Sequence, residues 1–217
     1  RKLGYTSEAY ECGIHPPADI SSRHELIQSG VKPSPLHNNC SGKHAGMLSL
    51  AKHLSGEPKG YINPDHPVQK AIYDLLQEYT GIEEIPMELD GCSAPTAFFT
   101  LETIARLYQT LSSGKYPELE RAYNAMVAYP YNVAGKGHFD TKFIEALKGK
   151  GVTKGGGESV RGIALRDRDG KYILKTISTS GDTEYHEIHA IQKLIDWSKE
   201  KEDAENILTN PNIEIVT

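Results

Sequence analysis

At Gly149 the chain changes its hydrophobic period. Before it, apolar residues recur at helical spacing; after it, Val160 to Arg166 and Tyr172 to Ile177 alternate with the period of two that marks half-buried strands. The intervening Asp167-Arg168-Asp169-Gly170 is turn chemistry, so the two runs are expected to form an antiparallel hairpin. A chain that must bury several helical stripes and one short sheet has few solutions. Helices packed on a small antiparallel sheet, the α+β class, meet both demands.

The local signals place the helices. A polar-capped stretch from Ile20, with Leu26, Ile27 and Val31, predicts a short helix ended by Gly30 and Pro33. Ala45, Met47, Leu48, Leu50, Ala51 and Leu54 predict a second, stopped by Gly56 and Pro58, with Cys40 and Lys43 at its N-terminus. A third should run from Pro67 to Tyr79 and stop at Gly81. Ile85 to Asp90 reads as a short strand entering the tight loop Gly91-Cys92-Ser93-Ala94-Pro95. Helices are expected at Leu101 to Leu111, Pro117 to Ala128, Thr141 to Leu147 and Glu184 to Lys199, and a glycine-rich turn at Lys154-Gly155-Gly156-Gly157-Glu158.

Composition narrows the function. The 217 residues, 38% hydrophobic and 24% charged, suit one or two globular domains. The net charge of −5 is spread over 29 acidic and 24 basic residues without a basic block, which argues against nucleic acid or an anionic membrane as partner and favours a small molecule. No apolar run reaches the ~18 to 20 residues of a membrane span. The start Arg1-Lys2-Leu3-Gly4-Tyr5 lacks a signal peptide's apolar centre, so the expected location is cytoplasmic. Three cysteines, Cys12, Cys40 and Cys92, are too few and odd in number for a disulfide framework, leaving reduced thiols for metal or catalysis.

Cys40 and Lys43 lie three apart at a helix entry, which sets both side chains on one face. Cys92 stands in a strand-end loop beside Asp90, where site residues gather. Two thiolates converging with a nitrogen donor would suit zinc, with a fourth position open. The plainer alternative is that the cysteines are small buried hydrophobes and Lys43 a solvated charge. Lysine is also a costly ligand, since removing its proton at pH 7 takes about 4.6 kcal/mol from an ordinary pKa of ~10.4. The Lys154 glycine stretch could bring an amine and backbone N–H groups to an anionic substrate, or be a turn leading into the hairpin. Ser112-Ser113-Gly114-Lys115 and Ser198-Lys199-Glu200-Lys201 match Ser-x-x-Lys but lack an apolar shell, and His186-Glu187-Ile188-His189 lacks zincin spacing; all three read as surface.

Four segments in this order, Cys12-Gly-Ile-His-Pro-Pro17, Pro33-Ser-Pro-Leu-His-Asn-Asn-Cys-Ser-Gly-Lys-His-Ala-Gly46, Asp90-Gly-Cys-Ser-Ala-Pro95 and Lys154-Gly-Gly-Gly-Glu158, resemble the bacterial L-asparaginase II family of the zinc-binding, rhizobial type. The resemblance covers most of the chain from about Leu3 to the hairpin and weakens after Ser178. It implies a fold similar to serine β-lactamases and glutaminases, and hydrolysis of L-asparagine to aspartate and ammonia. It further implies zinc held by Cys40, Lys43 and Cys92, with Asp90 and Lys154 as catalytic residues and a homodimer as the assembly. Gly157 and Ser159 replace an alanine and a glycine of the family's lysine segment.

The family's nucleophile is a serine in an Arg-Ser-x-x-Lys segment, with a second serine in a Ser-His-Ser-Gly-Glu-like segment; both precede the Cys-Gly-x-His-Pro-Pro loop. The sequence starts at Arg1 without Met, just before that loop. Residues 1–217 are therefore expected to be the C-terminal portion of an asparaginase II-like domain whose nucleophile segment lies elsewhere. Two functional readings stand: an amidohydrolase completed by that segment, or a catalytically silent zinc-binding module or truncated paralogue.

Overall fold

The computed structural model describes residues 3–54, 57–156 and 160–166, together with the backbone of 172–178. The expected helix Glu184 to Lys199, the turn 167–170, Gly157 to Ser159 and the motifs at His186 and Ser198 lie outside the described residues. The architecture is α+β, as the change of period requires. The chain divides into two compact units, Arg1–Phe98 and Phe99–Thr217.

The first unit carries α1 (Ile20–Gln28), α2 (Ser41–Leu54), α3 (Pro67–Thr80), β1 (Met87–Leu89) and β2 (Pro95–Ala97). Each helix starts or stops where its local chemistry dictates. Asp19 caps α1 by accepting from the Ser22 N–H at 2.8 Å. Pro67 opens α3, and Gly81, at φ +70, closes it in a left-handed cap that donates back to Gln77. Met47, Leu48 and Ala51 of α2 meet Cys12, Tyr61, Val68, Cys92 and Ala94 in a continuous core. β1 and β2 pair antiparallel, Met87 against Ala97 and Leu89 against Pro95. This second strand was not expected from the sequence: it is three residues long and opens on a proline, which cannot donate to a ladder.

In the second unit, α4 (Leu101–Ser112), α5 (Pro117–Ala128), α6 (Pro130–Ala134) and α7 (Phe139–Leu147) precede the antiparallel sheet β3 (Gly151–Gly155), β4 (Val160–Arg166) and β5 (Tyr172–Ser178), ordered β3-β4-β5. The predicted hairpin is present, with Val160 opposite Ser178 and Arg166 opposite Tyr172. α4 lies on β4 and β5, while α5 and α7 lie on β3. Tyr123, Phe143, Ile144, Val152, Ile163 and Ala164 form the interior. Gly162 admits the Tyr108 ring so closely that a Cβ there would fall inside it. Arg166 forks onto Glu120 and stacks 3.6 Å from the Tyr123 ring centre, tying α5 to β4.

One expectation is corrected here. Lys154 is not in a turn: it lies on β3, paired with Gly162. The strand exists because β4 supplies its hydrogen-bond partners, a nonlocal cause that glycine-rich local sequence conceals.

Candidate metal and catalytic site

Two segments of the first unit build the candidate centre. A 3-10 turn at Pro35–His37 delivers Asn38, whose side chain, 5% exposed, donates to the Gly13 carbonyl at 2.7 Å and accepts from the Cys40 N–H at 2.8 Å. Cys40 thus stands just ahead of α2, its carbonyl accepting from the His44 N–H at 3.1 Å. Lys43 follows in the first turn.

The other segment is the loop between β1 and β2. Asp90 Oδ1 accepts from the N–H groups of Cys92 at 2.9 Å and Ala94 at 3.1 Å, and from the Cys92 thiol at 2.9 Å. Ser93, at φ +67, gives the turn its left-handed step. Asp90 Oδ2 receives Lys43 Nζ at 2.5 Å. The Lys43 amine and the Cys40 thiol lie near enough to Cys92 to act on its thiol electrostatically, and Cys40 packs against the core that contains Cys92. The expected residues Cys40, Lys43, Asp90 and Cys92 are therefore brought together. Cys92 is 3% exposed whereas the Lys43 side chain is 42% exposed, so the cluster has a buried wall and a face reached by solvent.

The electrostatics follow from these contacts. Burial pushes the Asp90 pKa up, but hydrogen bonds from the Cys92 thiol, Lys43 and the two N–H groups outweigh it and hold the carboxyl at about 2. Burial, and then the bond to Asp90, push the Cys92 thiol up to about 11. Burial pulls the Lys43 pKa down, but Asp90 and Cys92 more than compensate and leave it raised. As a metal-free cluster it is an ammonium–carboxylate pair beside protonated sulfur.

The donor set fits zinc. Two thiols and one amine from two segments converge around Asp90, and the borderline-soft ion accepts such S and N ligands. Among the described residues no group of three or more His, Cys, Asp or Glu side chains is arranged to hold a metal. Cys12 packs in the same core as Cys92. Its thiol donates to the Pro35 carbonyl at 3.6 Å, and burial raises its pKa.

Behind Cys92 lies a residue to which the sequence alone assigns no role. His44 is fully buried, its Nε2 is 3.1 Å from Cys92 Sγ, and its Nδ1 is 2.6 Å from the Tyr61 hydroxyl. Burial, then the Lys43 charge, lower its pKa. Positions 44, 47, 48 and 51 form one helical stripe, so a histidine at the head of an apolar face was the available signal.

Lys154 belongs to the second unit. Its Nζ donates to the Gly155 carbonyl at 2.5 Å and lies 4.0 Å from Asp140 Oδ2, with the side chain 51% exposed. Asp140, at the start of α7, was also unassigned. Its buried carboxylate accepts from the Arg161 guanidinium and from the Gly155 N–H at 3.0 Å, pinning the end of β3 to β4. The Ser112 motif departs from the expected surface position at its serine: Ser112 is 1% exposed, with its hydroxyl donating to the Gln109 carbonyl, while Lys115 sits over the Tyr116 ring. A groove of about 470 Å³ between α3 and the β1–β2 hairpin, lined by Gln69, Tyr73, Met87 and Leu89, includes none of the four cluster residues.

No helix among the described residues is long and apolar enough to cross a membrane. A stretch of 53 residues, 24% of the chain, is 38% identical to a D-arabinitol 4-dehydrogenase of Klebsiella pneumoniae. The chain spans only 12% of the length of that curated relative. Far more extensive is the match to the family model of L-asparaginase II, over residues 1–213. That match takes in the Cys40-x-x-Lys43, Asp90-x-Cys92 and Lys154 segments together, and this chain belongs to the L-asparaginase II family.

Proposed function

We propose that this chain carries the metal site and one catalytic lysine of an L-asparagine amidohydrolase, which converts asparagine and water to aspartate and ammonia. The observation that carries the reading is the convergence of Cys40, Lys43, Asp90 and Cys92 from segments about fifty residues apart in a chain matched to this family along nearly its whole length.

Cys40, Lys43 and Cys92 would hold zinc, which when bound supplies a Lewis acid for polarising a carbonyl oxygen. Lys43 would have to give up one ammonium proton to serve as ligand, and Asp90, with the ammonium charge beside it gone, could accept from a further donor such as an amide N–H of asparagine. In the metal-free cluster its neighbours hold Asp90 at about 2, so there it is an acceptor throughout the neutral range. Lys154 would hold or move the proton of the attacking nucleophile. The expected assembly is a homodimer.

Ammonia release from asparagine and from glutamine, measured on the full-length protein with and without prior chelation, tests the proposal. Release from asparagine at ordinary enzyme rates, lost with the metal and nearly absent from the 217-residue chain alone, is the expected result. A full-length protein that binds zinc yet releases no ammonia from either amide would instead be a zinc-binding module without catalysis.

A further inference from the structure

The His44 ring has both nitrogens engaged and no contact with solvent. Which nitrogen carries the proton follows from its neighbours. The Tyr61 oxygen already accepts from the Glu11 backbone N–H at 2.8 Å, a group that can only donate. If Nδ1 also donated to that oxygen, the buried phenolic hydrogen would have no acceptor, at a cost of about 1 to 3 kcal/mol. Tyr61 therefore donates to Nδ1, which leaves the proton on Nε2. The far side agrees: the Cys92 thiol hydrogen is committed to Asp90, so the contact between Cys92 Sγ and His44 must be an Nε2–H donated to sulfur. Two separate hydrogen-bond counts give the same tautomer.

We propose that His44 is the positioning residue of the metal site: fixed by the Glu11–Tyr61 relay as its Nε2–H tautomer, it donates to Cys92 Sγ and orients that sulfur as a ligand. The inference rests on the reading of Cys40, Lys43 and Cys92 as the ligand set. A hydrogen bond from a neutral ring favours the anionic sulfur over the thiol without adding charge, whereas a hydrocarbon of similar size would leave it bare. The backing differs from the usual ligand histidine with a carboxylate behind it. Here the ligand is the sulfur, and the histidine stands one step back.

The test is zinc affinity by chelator competition at one fixed pH, with cobalt(II) as a spectroscopic probe of thiolate coordination. The full 217-residue chain is used throughout. His44→Gln places an amide N–H near the Nε2 position and should bind zinc within a few-fold of the parent. His44→Leu and His44→Asn remove that donor and should weaken binding by about 10- to 100-fold and shift the sulfur-to-cobalt charge-transfer band. Folded His44→Leu protein with parental affinity and an unshifted band overturns the inference, as does His44→Gln weakening as much as His44→Leu, since either would make His44 a packing residue. Long-range ¹H–¹⁵N correlation on the parent chain needs no variant: the Nε2–H pattern is expected, and an Nδ1–H pattern overturns the proposal even if His44→Leu does not fold. Failure of the underlying metal reading looks different, because the parent itself would then show no charge-transfer band, or Cys92→Ser would keep it.

Discussion

Asp90 and Lys43 meet at 2.5 Å, carboxylate to ammonium, although 47 residues separate them in sequence. The pair locks the β1–β2 loop to the first turn of α2. It sets the resting charge of the cluster, and Lys43 must lose one ammonium proton before it can become a ligand.

The first prediction concerns that pair in metal-free protein. The Asp90 pKa falls from 3.8 to about 2 on folding, so its contribution to stability is fully present above about pH 4 and lost as pH falls through 2. Allowing for the part-exposed site, the contribution is about 1 to 2 kcal/mol. Asp90→Asn should be less stable by that amount at pH 6, and the gap should close toward pH 2. Urea unfolding midpoints across this range, taken with chelator present, measure it. A gap constant with pH would show that the carboxylate's charge contributes nothing.

Serine replacements separate the three cysteines. Cys40→Ser and Cys92→Ser should abolish stoichiometric zinc binding, because each removes one of two soft ligands. Cys12→Ser should retain it, since its thiol is spent on the Pro35 carbonyl within the core. Metal content by elemental analysis after dialysis against dilute zinc gives the answer; metal lost with Cys12→Ser in a folded protein would redraw the site.

The sequence exposes whatever is written locally. Pro67 and Gly81 bracket α3, Pro117 opens α5, and the period of two around Val160 and Tyr172 yields β4 and β5. β3 is hidden because its pairing of Gly151 with Leu165 and Lys154 with Gly162 is made by the partner strand, not by its own glycine-rich residues. β2 is hidden by its proline, and α6 by having five residues. In the site, residue type and spacing make Cys40, Lys43 and Cys92 candidates, but the lock between Lys43 and Asp90 needs the third dimension. So do the roles of Tyr61 and Asp140, whose partners Glu11, His44, Gly155 and Arg161 are 15 to 50 residues away.

Gly162 should tolerate no side chain. A Cβ on Gly162 would enter the Tyr108 ring, which packs against the middle of the sheet. Gly162→Ala is expected to cost about 1 to 3 kcal/mol through overpacking, and Gly162→Ala with Tyr108→Leu to recover part of it. Thermal unfolding of the two variants checks this. An unchanged midpoint in the single variant would mean that Tyr108 moves aside without loss.

Lys154 and Asp140 should separate chemistry from folding. The half-exposed Lys154 side chain contributes little to stability, so Lys154→Ala should leave unfolding and zinc content nearly unchanged while, on the proposed function, lowering kcat for asparagine hydrolysis substantially. Asp140→Ala leaves the Arg161 guanidinium, 16% exposed, without this carboxylate and should cost about 3 kcal/mol or more. Circular dichroism melts beside steady-state kinetics separate the two. Unaltered kcat in Lys154→Ala would remove that amine from the mechanism.

The last prediction is the pH dependence of metal binding. Structural zinc sites bind with about 10 to 16 kcal/mol at pH 7, and a lysine in place of an imidazole forfeits roughly 4.6 kcal/mol for deprotonation. About 5 to 11 kcal/mol remains, a dissociation constant between ~0.1 mM and ~10 nM. Because Asp90 and Cys92 raise the Lys43 pKa, the forfeit is larger and the affinity belongs toward the weak end. Two thiols and one ammonium release protons on binding, so the logarithm of affinity should rise with pH by up to about three per unit. The rise should continue through pH 9, since the Cys92 thiol, pushed up to about 11, is still protonated there. A histidine at position 43 is already neutral above its ordinary pKa of ~6.5, and Lys43→His should therefore lower the slope by about one between pH 7 and 9. Zinc titration against a chelator of known affinity over this range measures both slopes. Equal slopes in parent and variant, or an affinity independent of pH, would mean that the Lys43 amine is not a ligand.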